Sequence, residues 1–182
     1  LNISIMPVDI NTPYRGIIIR MRSENESAMF PAIVNEALQK IASKPVGNKL
    51  LNGIVNYQGR SRFGYTVCIR RPANMTMANG TWCGTNKAVR ANEIDAKDSN
   101  TGSVTVIDFN ANIMNTPDGN RPAFIGLAHE LIHAYYNLKG KAFPGAEEEL
   151  ATVGISNVKN RSITENAIRA EHGIELRKAY SG

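Results

Sequence analysis

The chain has 182 residues, 42% of them hydrophobic and 20% charged, with a net charge of +5. This composition excludes collagen-like, low-complexity and disordered chains, and the length suffices to bury a core without disulfide or metal staples. The basic excess tolerates a nucleic acid or an acidic partner without demanding either.

The basic residues are dispersed as Arg60 and Arg62, Arg70 and Arg71, Lys87 and Arg90, then Arg169, Arg177 and Lys178. They read as solvated faces, and no nucleic-acid partner is assigned. Apolar runs are short, as in Ile17-Ile18-Ile19, so no segment is long enough to span a bilayer. Cys68 and Cys83 have neither CxxC nor scaffold spacing and read as free thiols. One domain over 1–182 and a monomer are expected. No signal peptide opens the chain at Leu1, which leaves open a secretion segment upstream of it.

In chain order, Gly16 to Met21 reads as a first strand. A helix is expected from about Ser27 to Ala42, with Phe30, Ile33, Val34, Leu38 and Ile41 at helical spacing. Ser43-Lys44-Pro45 ends it, and Gly47 to Ile54 reads as a short helical turn. Gly64 to Ile69 is a second strand, closed by Pro72. The Asn-, Gly- and Thr-rich stretch from Ala73 to Gly102 reads as a long irregular segment. Val104 to Phe109 is a third strand, read as a sheet edge able to take an extended peptide, with an interior strand as the alternative.

After the turn at Pro117-Asp118-Gly119-Asn120, a helix opens at Pro122 and runs to Gly140, a C-cap glycine. Pro144 and Gly145 break the chain before a helix from Ala146 to Val153. A last helix runs from Thr164 to His172, where Gly173 stops it.

The chemistry concentrates on His129-Glu130-Leu131-Ile132-His133. Histidines four apart on a helix share one face, with Cβ atoms about 5–6 Å apart, and both can reach Zn2+ at about 2.0–2.1 Å. Glu130, on the flank, suits a general base acting on water near the metal. Gly126, one turn earlier, leaves space beside the site. A catalytic zinc takes a third protein ligand, and Glu147-Glu148-Glu149 on the next helix supplies it. Glu148 is the choice because it shares a helical face with Thr152; Glu149 is the runner-up. At least one of the three simply complements the helix N-terminus. Asp108 reads as an outer partner of a zinc histidine.

Beyond this motif, Thr105-Val106-Ile107-Asp108-Phe109, Glu148-Glu149-Leu150-Ala151-Thr152-Val153-Gly154 and Thr164-Glu165-Asn166-Ala167-Ile168-Arg169, continuing to Arg177-Lys178-Ala179-Tyr180, form three blocks. With them the chain resembles the NleD-type zinc metalloprotease effectors of bacterial type III secretion systems. The resemblance covers the C-terminal half well and the first hundred residues only in outline. It implies secretion by a bacterium, action in the host-cell cytoplasm, and cleavage of host signalling proteins, with mitogen-activated protein kinases as the substrate class. Tyr180, Arg177 and His172 lie in its third block and are candidates for stabilising the oxyanion, Tyr180 being the one selected; pairing of Arg169 and Arg177 with Glu165 or Glu175 is the plainer role for the arginines.

The expected architecture is α+β, a small mixed sheet packed on the HExxH helix in the zincin manner. The rival functions are a binding module with structural zinc and a zinc amidohydrolase acting on a non-peptide substrate.

Overall fold

The computed structural model describes residues 7–22, 29–57, 63–72, 86–155 and 161–180. Its frame is a five-stranded sheet in the order β1-β2-β3-β5-β4. The strands are β1 (Val8–Asn11), β2 (Ile17–Met21), β3 (Val67–Arg70), β4 (Lys87–Arg90) and β5 (Thr105–Asp108). The inner strands β2, β3 and β5 run parallel, and β1 and β4 pair antiparallel at the two margins.

Alternation along the pleat sorts the side chains. Ile17, Ile19, Val67, Ile69 and Ile107 enter the main core, while Ile18, Cys68 and Val104 gather with Tyr65 on the other face. The main core is closed by α1 (Met29–Ala42), α2 (Pro45–Val55) and α3 (Ala123–Leu138). On α1 the stripe Phe30, Val34, Leu38 and Ile41 is fully buried, as its spacing requires. Pro45 does more than end α1: it occupies the first turn of α2, where its missing N–H costs nothing, so the expected short turn is an eleven-residue helix.

The mixed α+β architecture agrees with the sequence. Cys68 is a buried free thiol, as its spacing implies. Some details differ. β1 and β4 are not expected from the sequence, and β4 lies inside the stretch read as irregular; residues 73–85 of that stretch, with Cys83, fall outside the described residues. The third strand is not an edge, because β5 is flanked by β3 and β4. The margin of the sheet nearest α3 is β4.

Every residue of α3 from Phe124 to Leu138 is buried, which explains why its sequence is too apolar for a surface helix. Gly140 ends it with φ +65°, and the Lys141 N–H donates to the Tyr136 carbonyl at 2.9 Å. A side chain at Gly140 would meet the Asp98 carbonyl, so glycine is required there both for conformation and for space. Beyond it come α4 (Ala146–Val153) and α5 (Glu165–Glu171), then a tail without regular secondary structure over 174–180. A small two-stranded ribbon, β6 (Asn115–Thr116) with β7 (Gly119–Asn120), forms the turn before α3. No helix among the described residues is long and apolar enough to cross a membrane.

Candidate functional site

α3 places His129 and His133 one turn apart, their rings edge-to-face with centroids 4.9 Å apart. The two Nε2 atoms face each other at 3.2 Å. α4 brings Glu149 to the same point, its Oε2 lying 3.0 Å from His129 Nε2 and 3.2 Å from His133 Nε2. These three are the one group of metal-ligating side chains found together among the described residues.

The outer ring nitrogens are held by other groups. His129 Nδ1 donates to Glu165 Oε1 at 2.7 Å, and Glu165 is fully buried on α5. His133 Nδ1 lies 3.3 Å from both Glu148 Oε2 and Thr152 Oγ1. With each Nδ1–H turned to a carboxylate, both Nε2 atoms present lone pairs towards each other and towards Glu149 Oε2. Three electron-rich atoms so close favour a positive charge among them, whether a proton or a metal ion.

The electrostatics express the same demand. Burial works against a charged His133 ring, yet Glu148 and Glu149 push it up to about 10. Burial likewise opposes ionisation of Glu149, but the bonded histidines hold it well below the ordinary carboxylate range. Glu165 is down at about 2: burial raises it, and His129 with Arg177 and Arg169 outweighs that. Two neutral imidazole nitrogens and a carboxylate are the donor set of many zinc hydrolases, and the residues present fit that ion.

Glu148 is placed differently from the sequence expectation. It does share a face with Thr152, whose hydroxyl donates to the Glu148 carbonyl at 2.7 Å. That face, however, points to Nδ1 of His133 and to Arg161, whose Nη1 donates to Glu148 Oε2 at 2.9 Å and whose Nη2 donates to Oε1. Glu149 is the acidic residue at the Nε2 atoms, and Glu147 is exposed.

Asp108 is not an outer partner of a histidine. It bonds Arg70, its neighbour in the parallel register, at 2.7 Å. His172 does not line the cleft; it packs edge-on against Phe124 at 4.9 Å.

Glu130 is buried and lines a cleft of about 470 Å³ together with His129, His133, Glu149, Arg177 and Tyr180. Its carboxylate forms no side-chain hydrogen bond among the described residues and faces the cleft. Tyr180 stacks on His129, with centroids 6.4 Å apart and planes 11° from parallel.

The tail carrying Tyr180 is pinned by α5. The Asn166 side chain bonds both the N–H and the carbonyl of Arg177, at 2.8 and 2.9 Å. Arg177 itself pairs with Asp118 at 3.0 Å and with Glu165 at 3.2 Å. Arg169 holds Glu165 at 2.6 Å and donates to the Glu175 carbonyl. Arg169 and Arg177 are therefore buried network members and not solvated basic residues.

A sequence profile of Peptidase M91, described as an effector protein family, matches residues 20–180. The chain belongs to the Peptidase M91 effector family. No curated protein matches it. Among solved structures it is similar to the botulinum neurotoxin serotype C1 light chain protease, with 16% identity and a TM-score of 0.47 over 71% of this chain and 47% of that one. It is also similar to the zinc-free form of the botulinum neurotoxin type C light chain, with 16% identity and a TM-score of 0.42 over 62% of this chain and 36% of that one. The chain thus spans less than half the length of these structures.

Within this M91 site, Glu165 and Arg161 were not foreseen. Glu165 was visible only as a possible partner of Arg169 or Arg177, and Arg161 lies in a polar stretch with no periodicity. Replacing Arg161 by Ala strands the Glu148 carboxylate in a buried position; a loss of about 3–5 kcal/mol is expected on denaturant unfolding of the metal-free protein. A loss below about 1 kcal/mol would show Glu148 to be adequately held by Thr152, His133 and the Phe143 N–H.

Proposed function

We propose that this chain is a zinc-dependent endopeptidase, secreted by a bacterium and acting in the host-cell cytoplasm on signalling proteins of the mitogen-activated protein kinase class. The observation that carries the reading is the convergence of His129 Nε2, His133 Nε2 and Glu149 Oε2 beside an uncommitted Glu130 in one cleft. The Peptidase M91 effector match supports host proteins as the substrate class.

His129, His133 and Glu149 would hold the ion. When bound, zinc supplies Lewis-acid polarisation of the scissile carbonyl and acidification of water. The protein's own residues do the rest. Glu130 takes a proton from the attacking water on a carboxylate oxygen and delivers it to the departing amine nitrogen. Glu165 and Glu148 fix the tautomers of His129 and His133 through Nδ1. Tyr180, stacked on His129 at the cleft wall, offers a hydroxyl to the oxyanion. Arg177, anchored by Asp118 and Glu165, positions that tyrosine by lying 5.5 Å over its ring.

Among the described residues β4, and not β5, is the outer strand of the sheet on the cleft side. Lys87, Ala88 and Arg90 line the same cleft, so an extended substrate can lie along this strand. The test is incubation of purified kinases of the mitogen-activated class with the zinc-loaded protein and with its Glu130→Gln variant, with fragments identified by mass spectrometry. Fragments unique to the unmodified protein are expected; their absence would overturn the kinase assignment.

A further inference from the structure

Among the described residues, a buried cation of the cleft wall has no partner. Arg121 is 8% exposed and lines the wall with Glu130, yet among the described residues its Nε finds no hydrogen-bond acceptor and its guanidinium enters no ion pair. Arg177 is different, since Asp118 and Glu165 occupy its guanidinium. Burial works against the charge on Arg121, and Glu165 and Glu130 relieve this only at longer range. A buried donor left unmade costs about 1–3 kcal/mol, more when it is charged, and folding alone gives no reason to retain one.

A second orphan donor lies beside it. Asn86 lines the same cleft, and its Oδ1 accepts the Asn110 N–H at 2.7 Å. That bond fixes the amide orientation, so Nδ2 is the free end, and it too is buried without an acceptor. Both groups converge over Gly126. A methyl built there would fall 2.7 Å from Asn86 Nδ2 and 3.6 Å from Arg121 Nε and Nη2. The glycine's space is therefore filled by these two donors.

We propose that Arg121 and Asn86 form a subsite, separate from the metal ligands, that binds an anionic side chain of the polypeptide substrate close to the scissile bond. The shared chemistry is an oxyanion, supplied by an Asp or Glu carboxylate or by a phosphoryl group. Two convergent N–H donors, one of them charged, match such a group, and a charge-assisted pair in a shielded cleft discriminates against a neutral isostere. The subsite rests on the endopeptidase reading, because it requires a peptide in the cleft.

The test measures binding and cleavage separately. Fluorescent peptide pools carry Asp, Glu, phosphoserine, Asn or Gln at a fixed central position, with the flanking positions randomised. Binding is read by anisotropy with the zinc-loaded Glu130→Gln protein, and cleavage by mass spectrometry with the unmodified protein. The carboxylate or phosphoserine pools are expected to bind about 10- to 100-fold more tightly than the amide pools. In the added Arg121→Gln background that ratio falls to near one, and Asn86→Ala lowers it in part.

Preference for phosphoserine over Asp and Glu would identify the phosphoryl source; equal or reverse preference would identify the carboxylate. Equal binding of acidic and amide pools by the Glu130→Gln protein overturns the subsite. Cleavage without acidic preference near the cut also overturns it and leaves the peptidase standing. Acid-selective binding with no cleavage of any pool supports an anion subsite for a bound peptide, overturns its placement beside a scissile bond, and counts against the peptidase.

Discussion

Replacing Glu130 by Gln is expected to lower kcat for peptide hydrolysis by about 10²- to 10⁴-fold while the bound zinc stays at its original stoichiometry. The residue sits in the cleft with His129 and His133 but contributes no atom to the metal-ligating group, so the amide removes a base and leaves the ligands intact. The amide is close in size to the acid, so the packing of buried α3 is preserved. Steady-state kinetics on a protein found to be cut, paired with metal analysis of the same sample, measures both quantities. A fall below tenfold would assign the base to another group.

The second large effect separates two adjacent glutamates. Glu149→Ala is expected to weaken zinc binding by more than the roughly 10- to 100-fold typical of losing an outer-sphere partner, because Glu149 Oε2 is the oxygen at both Nε2 atoms. Glu148→Gln is expected to stay within that range and to lower thermal stability, since it disturbs the bonds to Arg161 and to His133 Nδ1. Competition with a chromophoric chelator measures the affinities. The opposite order would return the third ligand to Glu148.

That pair also shows where sequence reading runs out. The spacing of His129 and His133 fixes their common face, because a turn of helix leaves no other geometry. Which glutamate faces them depends on how α4 crosses α3, and no periodicity within α4 reports a crossing. The inference that Glu148 shares a face with Thr152 was sound, and that face serves the outer ring nitrogen of His133.

β4 was illegible for a similar reason. Lys87-Ala-Val-Arg90 is four residues in polar surroundings, and pairing with β5 makes it a strand. Val104 to Phe109 reads equally well as edge or interior; only the neighbours β3 and β4 distinguish the two. By contrast, Thr164 was legible at the start of α5, where its hydroxyl accepts the Ala167 N–H at 3.1 Å. Glu165 beside it reads only as a possible partner of Arg169 or Arg177, and its bond to His129 spans 36 positions of sequence.

The proposed zinc-dependent peptidase activity depends on His129, His133 and Glu149. It is tested most directly by stripping the protein of metal and titrating Zn2+ back while following cleavage of a quenched-fluorescent protein substrate. Activity should rise in step with zinc and level off at one equivalent per chain. Cleavage by fully stripped protein, or a plateau of activity unrelated to zinc bound, would contradict it.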